Sequence, residues 1–179
     1  MTEPEGLFIF VGTYTDEAAA LAAYQVVKDV HFKRSVGTYD AAVVTKDQDG
    51  RVHVNKDEMA TRHGVWAGAA AGAVIGILFP PSIIVGAAVG AAVGGASGHL
   101  WRGMSRADVK EFGEIIDSGE AALIVVGEIP LAKTLDIADL NPEKHVTKKL
   151  KVSPKDIDKA VREAAGGTEF KEPLDRHHE

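Results

Sequence analysis

The sequence contains no cysteine, which excludes disulfides, thiolate nucleophiles and Cys-ligated metal sites in one step. The absence fits a reducing compartment, where disulfides rarely persist. Positive charge is in deficit as well: 20 Lys and Arg against 26 Asp and Glu give a formal net charge of −6. A chain of that sign has no electrostatic attraction for phosphate backbones, so no nucleic-acid partner is expected. Aromatic residues make up only 6% of the 179 positions, whereas glycine occurs 19 times. Gly and Ala bury little area each, so a core rich in them gains from close approach rather than bulk. The start of the chain, Met1-Thr2-Glu3-Pro4-Glu5-Gly6, has no basic residue, and Leu7 to Val11 is too short for a secretory apolar region. Export by the usual route is not expected, which leaves the cytoplasm or the cytoplasmic face of the inner membrane.

A hydrophobic fraction of 45% with 26% charged residues is that of a globular chain. The length allows one domain, or one domain with an inserted module. Leu7-Phe8-Ile9-Phe10-Val11-Gly12 reads as a buried strand closed by glycine. Thr15 offers an N-cap, and Leu21, Tyr24, Val27 and Val30 then recur at helical spacing. Tyr39 to Thr45 and the alternating Arg51 to Asn55 flank an Asp49-Gly50 turn, the pattern of a β-hairpin with Val52 and Val54 inward. Ser105 to Asp108 resembles a capping box opening a helix with Val109, Phe112, Ile115 and Ile116 on its apolar face. That helix stops at Ser118-Gly119, and Ala121 to Val126 is a second continuous apolar strand. Leu131 to Leu140 reads as a short helix. Ser153-Pro154-Lys155-Asp156 is a helix start, and that helix runs to about Ala165 with Ile157, Ala160, Val161 and Ala164 available for docking. Lys148-Lys149-Leu150-Lys151 reads as a solvated patch, and the tail from Thr168 is polar.

The order strand, helix, hairpin, insertion, helix, strand predicts an α+β fold. We read it as a ferredoxin-like split βαβ sandwich with helices on one sheet face and a C-terminal helix. Residues 1–63 and 104–141 form the two halves of the domain, 64–103 an inserted helical hairpin, and 142–179 the C-terminal helix and tail.

The insertion is the most informative segment. Glycine recurs every fourth residue on both sides of Pro80-Pro81: Gly64, Gly68, Gly72 and Gly76 in the first arm, Gly86, Gly90, Gly94 and Gly98 in the second. Residues four apart share one helix face, so each arm carries a smooth groove. Glycine inside a helix costs about 1 kcal/mol against alanine, so the grooves are unfavourable unless another helix fills them. The pattern predicts a glycine-zipper hairpin turning at Pro80 and Pro81. The first arm has about 16 residues, roughly 24 Å at 1.5 Å per residue, against a hydrocarbon core of about 30 Å; the second, near 20 residues, has length enough. Arg62, His63 and Trp66 at one end of the first arm, with His99, Trp101, Arg102 and Arg106 at the matching end of the second, form a hairpin base of interfacial composition. Lipid insertion and burial in an oligomer both stay open.

Two α+β halves around a Gly-x-x-x-Gly hairpin resemble a bacterial family of predicted membrane proteins of unknown function. The resemblance spans roughly Leu7 to Leu140, and the hairpin is its most specific part. It implies a non-enzymatic protein that assembles through its zipper, with a role in stress among the options it allows. No catalytic residue follows from it.

The residues themselves reveal no catalytic pattern. None of the seven histidines, His31, His53, His63, His99, His145, His177 and His178, has the spacing of a preformed metal site. His63 and His99 meeting near Asp57 or Glu58 would make a collar at the hairpin base, but solvated polar caps explain them more simply. There is no nucleophile elbow and no phosphate loop. No cofactor and no metal are expected. The reading that follows is a homo-oligomeric structural protein. One alternative is a membrane-associated protein whose hairpin enters the bilayer from the cytoplasm. A second is an α+β enzyme holding a small molecule in a cleft.

Overall fold

Leu7 to Val11 and Ala121 to Val126 are apolar at every position, so neither strand has a face to offer to water. Such strands need cover on both sides. In the computed structural model, which describes residues 6–34, 37–55, 66, 69–85 and 93–166, they receive it. The elements run β1 (Leu7–Tyr14), α1 (Glu17–Arg34), β2 (Tyr39–Lys46), β3 (Val52–Asn55), α2 (Ala69–Leu78), β4 (Ile84–Val85) and α3 (Val93–Gly103). They continue with α4 (Arg106–Asp117), β5 (Ala121–Glu128), α5 (Ile129–Thr134), α6 (Ile137–Leu140), β6 (Lys144–Leu150) and α7 (Pro154–Gly166).

The protein is a mixed α+β structure on a six-stranded sheet of order β4-β3-β2-β5-β1-β6. Pairing is antiparallel throughout except for the short parallel contact of β3 with β4. β1 and β2 run the same way because each lies antiparallel to β5, which separates them. A ferredoxin-like order would place the strand after β2 in that slot. Here β5 takes it, and β3 lies outside β2.

The expectation of helices on one sheet face is corrected. Phe8, Phe10, Tyr39, Val43, Leu123 and Val125 pack against α1, α5 and α6. Leu7, Ile9, Val11, Val44, Ile124 and Val126, from the alternate positions, pack against α2, α3, α4 and α7. The continuous apolar strands required this three-layer solution, since a half-exposed sheet would have left one row in water.

Local signals account for the remaining elements. The capping box of α4 is present, with Ser105 Oγ accepting the Asp108 N–H at 3.0 Å and Asp108 Oδ2 accepting the Ser105 N–H at 2.9 Å. For α1 the cap is Asp16 rather than Thr15: its carboxylate accepts the Ala19 N–H at 2.8 Å. The turn between β2 and β3 is closed by Asp47, whose Oδ1 accepts the N–H groups of Asp49 and Arg51. Gly50 supplies a left-handed φ of 77° there. Lys149 and Lys151 of the charged patch are exposed, as read from the sequence, but the segment is also a strand, because β6 pairs along β1 from Leu7↔Leu150 to Thr13↔Lys144. Val146 and Leu150 are buried and Lys148 lies between them on the same face, reaching Asp108 at 3.6 Å and Glu111 at 2.6 Å on α4.

Candidate functional site

The glycine-rich segment is the candidate site, and four contacts seat it on the sheet. The first lies at the start of α2. Asp40, only 2% exposed on β2, accepts the Ala71 N–H through Oδ2 at 2.9 Å and the Ala41 N–H through Oδ1 at 3.0 Å. A carboxylate at that position satisfies a donor of the first turn and complements the positive end of the helix dipole. The second contact holds the other end of α2. The Lys46 ammonium pairs with Asp117 at the end of α4 and lies 5.7 Å from the Phe79 ring centroid.

The third contact is Trp66. It is fully buried, and its Nε1 donates to Asp158 Oδ1 on α7 at 2.6 Å. The fourth is Gly103, where an added Cβ would meet Val152 Cγ2 at 2.5 Å, so the end of α3 lies directly on the segment joining β6 to α7. Between these points Ala70, Ala71, Ala73, Val74 and Ile75 are fully buried in one cluster with the sheet. The small side chains of α2 thus serve close packing of helix on sheet within the chain.

The glycine ladders divide accordingly. Gly72 is buried in α2. At Gly76 on α2 and Gly98 on α3 a Cβ would meet nothing within 4 Å, so no neighbour among the described residues fills the surface at either position. Gly94 falls within α3, whereas Gly64, Gly68, Gly86 and Gly90 lie outside the described residues. Pro80 is exposed after α2, and Pro81 opens a 3₁₀ turn ending at Ile83. The second arm does not begin as a helix there. Ile84 and Val85 pair with Val52 and His53 at the sheet edge, as a β-branched pair following two prolines favours.

The hairpin base does not assemble as one interfacial rim. Trp66 belongs to the core, whereas Trp101 is 50% exposed beside exposed Arg102 and half-buried His99. His63 lies outside the described residues. Over its described residues α2, at 10 residues, is about 15 Å long against a hydrocarbon core of about 30 Å. Among the described residues no helix is long and apolar enough to cross a membrane.

Among the described residues no group of three or more His, Asp or Glu side chains is placed to hold a metal ion. Three histidines have local partners: His31 Nε2 lies 2.7 Å from the Gly37 carbonyl, His53 Nε2 is 2.9 Å from Asp47 Oδ2, and His145 stacks on Phe10. The His53 hydrogen bond, followed by the Arg51 N–H, holds the Asp47 carboxyl below the usual range. A shallow surface crevice lined by Val44, Lys46, Ile116 and Glu120 encloses no space of the size that ligand pockets offer.

A family model for proteins of unknown function, DUF1269, matches residues 65–156, just over half of the 179 positions. The chain belongs to that family. The DUF1269 match takes in the glycine-rich helices, α4, β5 and β6, and ends at Asp156 in the first turn of α7. It begins later than the resemblance drawn from the sequence, leaving β1 to β3 outside. No curated protein and no solved structure matches the chain.

Sequence reasoning missed Asp40, Lys46 and Asp158. Asp40 carried a readable signal, an acid inside the apolar run Tyr39 to Val44. Lys46 and Asp158 carried none, since their partners are 71 and 92 positions away.

Proposed function

We propose that the protein is a non-enzymatic structural protein that assembles with copies of itself through the glycine-bearing faces of α2 and α3. The observation that carries this reading is the open space at Gly76 and Gly98. Each glycine weakens its helix by about 1 kcal/mol relative to alanine, and no contact among the described residues explains the choice. A second helix lying in the groove explains it, because glycine lets two backbones approach most closely. Trp101 supports the same surface: three residues from Gly98 on one helix face, it exposes half of a side chain that is usually well buried. Exposed tryptophans are typical anchors of interfaces. The sheet sets the geometry of the subunit, and the inserted hairpin is its assembly element.

The test is absolute mass by light scattering after size exclusion, without detergent, for the wild type and for Gly76→Leu, Gly98→Leu and Trp101→Ser. A Cβ at either glycine meets nothing within 4 Å among the described residues, and far-UV circular dichroism of each variant checks that the fold is kept while association is challenged. A discrete wild-type multimer that falls in mass in these variants is the expected result. A monomeric wild type, or the same multimer in all three variants, overturns the reading. Recovery only with detergent favours the bilayer instead, with Trp101 and Arg102 at its surface.

A further inference from the structure

The last helix touches both arms of the hairpin, yet little apolar area holds it. Ile157 is fully buried and Ala160 nearly so, while Val161 is only partly covered. Lys155, Asp156, Lys159, Arg162 and Glu163 are exposed, and Lys159 pairs with Glu163 at 3.9 Å within the helix. At 13 residues α7 is near the length below which isolated helices are marginal in water. Its outer face is therefore solvated whether or not it is docked. What it covers is different in kind. Trp66, which precedes α2, is fully buried with its indole N–H on Asp158, and α3 packs along the same helix with Leu100 fully buried. Val152, just ahead of α7, fills the space above Gly103.

We propose that α7 is a strap that opens independently of the sheet, and that the hydrogen bond from Trp66 to Asp158 is its latch. The asymmetry is the argument. Detaching α7 exposes a charged helix that water tolerates, and it uncovers an apolar seat on the hairpin formed by Trp66 and α3. Elements with few buried side chains open locally at lower cost than the core; among the described side chains of α7 only Ile157 and Ala160 are buried, whereas β1 and β5 are buried along nearly their whole length. The consequence for assembly rests on the function proposed above: the uncovered face adjoins Gly98 and Trp101, so opening enlarges the surface offered to a second copy of the chain.

The test compares hydrogen exchange in α7, α3 and the strands β1 and β5 of the full chain, together with the indole N–H resonance of Trp66, assigned by its persistence in Trp101→Phe. Wild-type α7 amides are expected to exchange at least tenfold faster than those of β1 and β5. Asp158→Ala removes the acceptor and should speed exchange in α7 and α3 several-fold, leave β1 and β5 unchanged, and shift the Trp66 indole resonance. Asp158→Asn keeps the Oδ1 acceptor and should stay near the wild type. Equal protection of α7 and the central strands overturns the strap, as does an Asp158→Ala chain with unaltered α7 and α3 exchange. Mass is read in the same samples. Faster α7 exchange at constant mass leaves the strap standing and counts against assembly through the hairpin.

Discussion

The buried carboxylate of Asp40 accepts the backbone N–H of Ala71 at 2.9 Å, joining strand β2 to the first turn of α2 across 31 positions of sequence. This contact makes the glycine-rich segment part of the domain. A helix built mostly of Ala and Gly has little side-chain bulk to fix its depth and rotation on a sheet, so a charge-assisted bond at its positive end supplies that register.

Asp40→Ala is accordingly expected to destabilise the fold by about 1–3 kcal/mol, because it leaves a buried donor without its acceptor. Asp40→Asn keeps one carbonyl oxygen and is expected to cost less. Urea unfolding followed by far-UV circular dichroism measures both. A value for Asp40→Ala within about 0.5 kcal/mol of the wild type, the range of ordinary surface substitutions, would show that the contact does not hold α2.

The glycines separate into two groups with opposite predicted signs. Gly76→Ala and Gly98→Ala place a methyl group in open space and gain helix propensity, so each should stabilise the isolated chain by about 1 kcal/mol. Gly127→Ala puts a Cβ 2.8 Å from Phe8 Cε1 and 3.2 Å from Tyr39 Cβ, and Gly119→Ala puts one 2.6 Å from Thr13 Cβ. Both should destabilise by about 1–3 kcal/mol through overpacking. Thermal unfolding of the four variants at low protein concentration decides the matter. A loss of stability at Gly76 or Gly98 would mean that the single chain itself fills those positions.

The capping box of α4 gives a prediction in pH. The Ser105 backbone N–H, then the Ser105 hydroxyl and after it Lys148, hold the Asp108 carboxyl below its usual range. A lowered folded pKa contributes stability that is full above the unfolded value of about 3.9 and is lost as pH falls through the folded value. Acid unfolding monitored downward from about pH 5 should therefore be shallower in Asp108→Asn than in the wild type. At neutral pH, Ser105→Ala should cost about 0.5–2 kcal/mol through loss of the cap. Identical acid profiles for wild type and Asp108→Asn would remove the carboxylate from the account.

What the sequence made legible was local. The apolar runs of β1 and β5, the Asp49-Gly50 turn, the Ser105 to Asp108 box and the start of α7 at Pro154 each sit within a few residues of the signal that announces them. Strand β6 was hidden because its inward positions Val146, Lys148 and Leu150 include a lysine, and pairing along β1 rather than its own hydropathy holds it in place. Trp66 looked interfacial beside His63, since only Asp158, 92 positions away, shows that its indole has a partner inside the domain. The four-residue glycine spacing was readable as well. Which glycines the chain covers and which it leaves open depends on the sheet beneath α2, and no periodicity encodes that.

Two tyrosines extend the pH argument to the alkaline side. The hydroxyls of Tyr14 and Tyr39 are buried and have no hydrogen-bond partner among the described residues. Burial pushes both pKa values up, and at Tyr39 the charges of Tyr24 and Asp40 add to it. Because the folded state favours the protonated phenol, its contribution is fully present below the unfolded pKa of about 10 and is lost as pH rises beyond it. Stability in urea should hold level to about pH 9 and fall steeply above pH 10. The double variant Tyr14→Phe, Tyr39→Phe should be neutral or slightly stabilising at pH 7, since an unpaired hydroxyl is removed, and should flatten the alkaline fall. A smaller decline remains, because Lys148, with its pKa raised chiefly by Glu111, also loses its charge at high pH. An alkaline fall as steep in the double variant as in the wild type would show that neither hydroxyl is held neutral by burial.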